Sequence, residues 1–250
     1  MQSVVASLLL AASPVLIPTL YNGPGAFGTR WSTAVVLNNH TTAEFRSPGV
    51  TFGVLCPIPE GCLSDVVPAG AFGGIASPNA ANGLLLDLPD EQADIAFMAR
   101  LAASPRNALT GGTELPVVRE REFSRRALHF PYVPVLADPS PARTTLRIYG
   151  PDVQPGTAVR IELRYWLGPE GEPITSKIVE LAIPPQPTAG TIYPAFAQVD
   201  IQDFAAGVLS VFDNISVVPL PLPSGELPRT WAFLTITDDV TQEVTVQRPQ

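Results

Sequence analysis

Residues Thr157–Leu167 read TAVRIELRYWL and show the clearest periodicity in the chain. Apolar and polar side chains alternate along this stretch, so two sets of side chains point to opposite sides of an extended backbone. The apolar set is Val159, Ile161, Leu163 and Tyr165. The opposite set is Arg160, Glu162, Arg164 and Trp166. This alternation is typical of an antiparallel strand with one buried and one exposed face, and it predicts a β-sheet protein.

Strand signals of the same kind run along the chain on both sides of this stretch. Short apolar or alternating runs are bounded by clusters of Gly, Pro, Asn or Asp, which is the pattern of an all-β protein. The clearest runs are Val15–Leu20, Ser32–Asn38, Val50–Leu55, Leu128–Val133, Thr230–Thr237 and Val240–Val246, the last two as a hairpin. Pro89–Ala103 fits both a helix capped by Asp90 and a strand, and the β context favours a strand from Ile95 to Leu101.

A Pro-rich segment at residues 139–142 interrupts these strand signals and predicts a linker between two domains. About seven strands are expected on each side of it, which suits a β-sandwich of about 100 residues. We therefore predict an all-β protein with two immunoglobulin-like β-sandwich domains in tandem. The predicted domains cover residues 14–138 and 143–250.

Several stretches carry a resemblance to known secreted proteins. TLRIYGPD at 145–152, AVRIELRYW at 158–166 and TWAFLTITDDVTQEVTV at 230–246 resemble immunoglobulin-like or fibronectin-type β-sandwich modules of secreted bacterial proteins. GPGAFGTRWSTAVVLNN at 23–39 is similar to uncharacterised secreted bacterial proteins of this layout. The immunoglobulin pattern, in which a cysteine pair bridges the two sheets beside a central tryptophan, is missing. The resemblance implies a fold and secretion, and it supplies no catalytic motif.

The N-terminus and the cysteines also indicate export. Residues 1–13 predict a signal peptide, although the same stretch could be buried apolar chain. Pro14 and Pro18 interrupt the apolar run, so we expect no membrane-spanning helix. Cys56 and Cys62 in CPIPEGC predict a disulfide that closes a small loop, with reduced thiols as the alternative. The expected location is secreted, periplasmic or at the cell surface.

Composition and motifs exclude several function classes. A net charge of −8 and an acidic composition argue against nucleic-acid binding. No P-loop, no dinucleotide fingerprint and no nucleophile elbow is present in the sequence. His40 and His129 are the only histidines, so we predict no catalytic site, no metal site and no cofactor. The charge cluster at 119–126 is expected to be an exposed surface or a partner-docking patch.

The exposed face of Thr157–Leu167 supplies the candidate binding residues. Trp166, with Arg160 and Arg164 beside it, could form a platform on which a sugar ring stacks; the alternative is that Trp166 packs against another part of the chain. We predict a secreted, non-catalytic structural, adhesive or binding protein. Its expected partner is a protein or glycan at the cell surface, or a second copy joined through strand edges. The alternatives are a carbohydrate-active hydrolase with a carboxylate pair, a carbohydrate-binding module and a periplasmic pilus-type chaperone.

Overall fold

A computed structural model describes residues 12–25, 28–54, 62–104, 106–133, 142–152, 157–166, 172–186, 192–204 and 213–250. Nearly all of the regular structure in these ranges is β-strand, which confirms the all-β prediction. Two one-turn helices, α1 (Ala108–Gly111) and α2 (Ile201–Phe204), accompany the strands.

The first half of the chain forms two larger sheets and a short ribbon. Its strands are β1 (Ala12–Ile17), β2 (Asn22–Pro24), β3 (Arg30–Asn38), β4 (Phe45–Arg46), β5 (Thr51–Val54), β6 (Cys62–Ser64), β7 (Val66–Val67), β8 (Phe72–Ser77), β9 (Leu84–Pro89), β10 (Ala96–Ala103), β11 (Thr113–Leu115) and β12 (Val118–Arg119). One sheet has the order β12-β1-β9, and the other has the order β11-β10-β3-β8-β5-β6 with β2 paired to β3. Strands β4 and β7 pair with each other. Strand β10 confirms the strand prediction for Ile95–Leu101.

Strands β1 and β9 are buried on both faces. Consecutive side chains alternate between the two faces of a strand, yet Val15, Leu16 and Ile17 all have zero exposure. Leu84 and Leu86 are also fully buried in β9, and Leu85 between them is 3% exposed. A continuous apolar run is the pattern expected for a strand with packing on both sides. This sheet therefore lies inside the protein rather than at its surface.

The second half of the chain forms two four-stranded antiparallel sheets. Its strands are β13 (Leu128–Val133), β14 (Ala142–Gly150), β15 (Val159–Trp166), β16 (Thr175–Leu181), β17 (Ala195–Asp200), β18 (Asp213–Pro219), β19 (Trp231–Asp238) and β20 (Val244–Gln247). The sheet orders are β13-β18-β15-β16 and β17-β14-β19-β20. Alternate side chains of both sheets enclose one apolar core. The alternation predicted for β15 and the predicted C-terminal hairpin β19–β20 are both confirmed, but the second strand of the hairpin begins at Val244 rather than at Val240.

Strand β13 belongs to the second group of sheets although it precedes the predicted linker. It pairs with β18, and Leu128 and Phe130 point into the core that β18 also covers. Strand β12, by contrast, pairs with β1. Sheet membership therefore changes between β12 and β13, before residue 139. Residues 139–141 of the predicted linker lie outside the described residues.

The sheet that contains β14 and β19 also packs on its second face. Tyr149, Trp231 and Phe233 project from that face into the apolar core of the first half. The rings of Tyr149 and Phe233 stack with 6.1 Å between their centroids. The Tyr149 hydroxyl donates a buried hydrogen bond of 2.6 Å to the Pro18 carbonyl just after β1. Sheet β17-β14-β19-β20 is thus a layer shared by the two halves.

An ion-pair cluster also lies at the junction of the two halves. Arg229 Nε contacts both carboxylate oxygens of Asp152 at 3.1 and 3.0 Å, and Arg229 Nη1 donates to Glu120 at 2.8 Å. Burial alone would raise the pKa of Asp152, but the hydrogen bonds and charge of Arg229 hold that pKa below its ordinary value. Arg125 donates to the Leu227 carbonyl beside this cluster. The predicted 119–126 charge cluster therefore makes contacts within the chain.

Strand β16 forms an edge of its sheet and carries the one lysine of the chain. Lys177 lies opposite the buried Leu163, so it occupies the core-facing phase of the strand, yet its side chain is exposed. Ile178, on the other face, is 60% exposed. A charge on the inward phase of an edge strand disfavours the addition of a further strand.

Candidate functional site

One face of β14 changes from aromatic to polar along its length. Strand register places Tyr149 between Phe196 of β17 and Trp231 of β19, and this row is packed under the first half. Toward the start of β14, the residues on this face lie beside mostly polar residues of β17 and β19. These rows contain Gln198, Arg147 and Phe233, then Asp200, Thr145 and Thr235, and finally Arg143 and Thr237. We call these polar rows the cleft floor.

Residues of the first half of the chain lie opposite the cleft floor without contacting all of it. The space between them is a cleft of about 540 Å³. The opposite wall is built by residues that follow β1, by β3, and by the turn before β9. We call this wall the cleft roof, and its members are Thr19, Tyr21, Pro24, Gly25, Trp31, Ala81 and Asn82, together with Leu101 of β10 and Leu115 of β11. At one end, Thr113 Oγ1 donates to the Val244 carbonyl at 2.7 Å and joins the roof strands to the floor. The volume lies within the range of ligand pockets.

Two glycines let the aromatic side chains of the cleft roof lie close to the backbone. A Cβ at Gly25 would lie 2.1 Å from a ring carbon of Trp31, so only glycine allows this contact. A Cβ at Gly23 would lie 2.6 Å from the Tyr21 hydroxyl, which donates to the Pro24 carbonyl at 2.7 Å. The local sequence therefore fixes one indole and one phenol against the hairpin β2–β3.

The two arginines of the cleft floor have different partners. Arg143 Nε lies 3.4 Å from Asp239 Oδ1, so its charge is compensated within the protein. Arg147 Nη1 lies 3.4 Å from the Ala81 carbonyl, and its guanidinium lies 5.9 Å from the centroid of the Phe196 ring. Burial raises the pKa of the nearby Tyr149 to about 12, although the charge of Arg147 opposes that shift. Tyr149 is therefore a neutral neighbour of Arg147 at physiological pH.

Asp200 is the only carboxylate among the described residues that line the cleft. Its Oδ1 accepts a hydrogen bond of 2.9 Å from the backbone N–H of Gln202 in α2. The side chains of Asp200 and Gln198 are both exposed. A glycosidase of the usual kind needs two carboxylates on opposite sides of the scissile bond. The described lining can bind polar groups, but it does not supply such a pair.

The predicted binding residues of β15 lie on another surface. Arg160, Arg164 and Trp166 occupy the outward face of sheet β13-β18-β15-β16, opposite the core. Trp166 Nε1 donates to Ser216 Oγ at 3.1 Å, and His129 Nδ1 lies 3.0 Å from the same oxygen. Trp166 is half-buried in this arrangement. A binding role for this face stays a prediction.

Arg164 already forms an ion pair with a carboxylate on the same sheet. Its Nη2 lies 2.8 Å from Glu162 Oε2, and this hydrogen bond holds the pKa of Glu162 below its ordinary value. Ser216 is 3% exposed, so the Ser216–His129 contact offers no accessible nucleophile. On the outward face of β15, Arg164 and Trp166 thus have partners on their own sheet, whereas Arg160 is exposed to solvent.

Sequence reasoning missed the polar residues of the cleft floor. Arg143, Arg147 and Asp200 lie on strands whose alternation was visible, because Leu146 and Ile148 separate Thr145, Arg147 and Tyr149. The pattern showed that these side chains share a face. The pattern could not show that the first half of the chain lies opposite this face and leaves a cleft, because the two walls are far apart in the sequence.

The predicted disulfide and signal peptide lie partly outside the described residues. Cys62 begins β6, but Cys56 lies outside the described residues, so the disulfide stays a prediction. Residues 1–11 of the predicted signal peptide also lie outside them, whereas Ala12 and Ser13 pair with β9. Within the described ranges no group of three or more His, Cys, Asp or Glu could hold a metal ion. None of the helices that the structure describes is long and apolar enough to cross a membrane.

Comparisons of the chain with protein-family models, with curated proteins and with solved structures found no match.

Proposed function

We propose that this chain is a secreted, non-catalytic saccharide-binding protein and that the cleft is its binding site. The observation that carries the proposal is the composition of the cleft walls. Tyr21 and Trp31 lie in the cleft roof, and Arg147, Gln198 and Asp200 lie in the cleft floor. The proposal keeps the predicted non-catalytic binding role and assigns it to a different surface from the β15 face.

The chemistry of a sugar ring fits these walls. A pyranose presents hydroxyl groups that both donate and accept hydrogen bonds, and planar side chains such as Arg, Asp and Gln can pair with two neighbouring groups at once. The same ring has a C–H face that packs against an aromatic side chain. The cleft offers the half-buried Tyr21 ring on one wall, with Trp31 only 9% exposed in the same apolar cluster, and planar polar groups on the other wall.

Binding is favoured over hydrolysis for a specific reason. Asp200 is the single carboxylate on the described cleft lining, and a two-carboxylate mechanism would need a second one across the bound sugar. Self-association through the β16 edge is also disfavoured, because Lys177 would be buried by an added strand.

The finer fold assignment and the location belong to the same proposal. Two four-stranded sheets around one core support an immunoglobulin-like sandwich for the second half of the chain. Export rests on the sequence of residues 1–13 and on the predicted Cys56–Cys62 disulfide.

A glycan array followed by calorimetry tests the binding site. We expect the wild-type protein to bind at least one oligosaccharide on the array. We expect Asp200→Asn to weaken that binding about tenfold or more, because the aspartate would lose its charge-assisted hydrogen bonds to hydroxyl groups. Glu180→Gln changes an exposed carboxylate of β16 and serves as the matched control.

Two results would refute the proposal. One is the absence of any saccharide ligand for the folded wild-type protein. The other is loss of binding in Trp166→Ala with full binding in Asp200→Asn, which would place the site on the β15 face.

A further inference from the structure

We infer that the ligand is an acidic saccharide and that Arg147 binds its carboxylate. This inference rests on the proposed function, since it assumes that a saccharide occupies the cleft. It adds the chemical class of the saccharide and the residue that selects it.

The first argument is the charge of Arg147. In the part of the chain that the structure describes, no carboxylate forms an ion pair with this guanidinium. Its neighbours are the Ala81 carbonyl, the Phe196 ring and the Tyr149 hydroxyl, all of them neutral. By contrast, Arg143 on the same floor is compensated by Asp239. Among the described residues, the cleft floor therefore holds one arginine with a carboxylate partner and one without such a partner.

The second argument is the pair of contacts that orient Arg147 in the cleft. The guanidinium lies over the Phe196 ring at 5.9 Å and its Nη1 points to the Ala81 carbonyl of the cleft roof at 3.4 Å. A planar guanidinium that lies over an aromatic ring loses less conformational freedom than a fully exposed one when it binds a carboxylate through two parallel hydrogen bonds. An oriented cationic fork in a half-enclosed cleft is suited to an anionic group of matching planar shape.

The third argument concerns the rest of the ligand. Asp200 and Gln198 lie on the β17 side of the floor, beside Thr145 and Arg147 in the strand register. A carboxylate that accepts hydrogen bonds suits hydroxyl groups and repels a second anionic group. The floor thus fits a molecule with one carboxylate and several hydroxyl groups, which is the composition of a uronic or sialic acid.

The net charge of the protein gives an acidic saccharide no long-range electrostatic attraction. The chain carries a net charge of −8, so a polyanion is repelled at long range and gains nothing from general electrostatic attraction. Binding of an acidic saccharide would therefore depend on the short-range contact with Arg147. Such a contact is screened less by salt than interactions between exposed charges are.

Calorimetry with matched acidic and neutral ligands tests the inference. The probes are galacturonate, glucuronate and sialyllactose, which have one carboxylate each, and each is compared with its methyl ester, which removes the charge and keeps the hydroxyl groups. We expect the wild-type protein to bind at least one acid about tenfold or more tightly than its ester. Arg147→Gln should reduce this preference to near unity, and Arg147→Lys should retain part of it, because lysine keeps the charge without the planar fork.

Arg160→Gln is the matched control, because Arg160 is exposed on the outward face of β15. We expect it to leave the preference unchanged. Equal binding of acid and ester by the wild type, or an unchanged preference in Arg147→Gln, would overturn the inference while the proposed function stands. If the folded wild type binds neither acids nor esters and no neutral glycan of the array, both proposals fail. If Arg147→Gln does not fold, the wild-type comparison and Arg147→Lys still decide the outcome.

Discussion

Replacement of Tyr149 by Phe removes one hydroxyl from the junction between the two halves and leaves the aromatic packing in place. The ring of Tyr149 lies 5.2 Å from that of Phe196 and 6.1 Å from those of Trp231 and Phe233, and Phe can keep all three contacts. What is lost is the hydrogen bond of 2.6 Å to the Pro18 carbonyl. That carbonyl would then be buried without this donor.

The expected loss of stability comes from leaving the buried Pro18 carbonyl without its hydrogen-bond donor. A buried polar group that loses its partner destabilises a protein by about 1–3 kcal/mol. In a chain of this size each kcal/mol lowers the melting temperature by about 2–4 °C. We therefore expect Tyr149→Phe to melt at least about 2 °C below the wild type.

The pH dependence gives a second signature of the same hydroxyl. Burial raises the pKa of Tyr149 to about 12, whereas an exposed tyrosine titrates near about 10. Folding thus favours the neutral phenol, and its stabilising contribution is complete below about pH 10 and is lost as the pH rises through 12. The wild type should lose stability over this interval more steeply than Tyr149→Phe, which has no proton to lose there.

Thermal unfolding at pH 7 measures the change in melting temperature, and urea denaturation at pH 7, 9 and 11 measures the pH dependence; tryptophan fluorescence follows both, because Trp231 contacts Tyr149. The matched control is Tyr132→Phe, since Tyr132 is 74% exposed. Equal stability of Tyr149→Phe and the wild type at pH 7, together with parallel pH curves, would show that this hydroxyl does not stabilise the junction.

Three further predictions concern the backbone, the ion pairs and the compartment. Gly83→Ala should destabilise the protein by about 2 kcal/mol or more in urea denaturation, because Gly83 has φ +98 and a Cβ would lie 3.0 Å from the Tyr149 ring; unchanged stability would contradict the observed packing. Arg229→Gln should lower stability by about 1 kcal/mol at pH 7, and the difference should shrink as the pH falls below the ordinary pKa of an aspartate, about 3.9, and through the lowered pKa of Asp152; a difference that stays constant over the whole acid range in which the protein remains folded would contradict this. The intact mass from the native source, measured without reductant, should lack about a dozen N-terminal residues and two hydrogens, whereas a full-length reduced mass would contradict export and the disulfide.

Local sequence patterns predicted the strands well because side-chain period is a property of the strand itself. The alternation in Val159–Trp166 predicted which of its side chains are buried. The choice of partner strand is not local. Leu128–Val133 has an ordinary strand pattern, and nothing in it shows that it pairs with β18 rather than with the strands that precede it.

The site was harder to predict than the fold for a similar reason. The exposed face of β15 was visible from its alternation, but its polar groups bind one another, as Arg164 and Glu162 do. The face of β14 reads much like that of β15, yet half of it is covered by aromatic packing around Tyr149 and half of it forms the cleft floor. Only the position of the first half of the chain distinguishes the two faces.

The shared layer β17-β14-β19-β20 has a consequence for how this protein can be divided. A fragment that starts at β14 would leave Tyr149, Trp231 and Phe233 without the apolar residues that cover them in the intact chain. An exposed aromatic row of this kind promotes aggregation. The two halves are therefore expected to unfold in one cooperative transition, and the cleft between them would keep a fixed width because neither wall can move without breaking a common core.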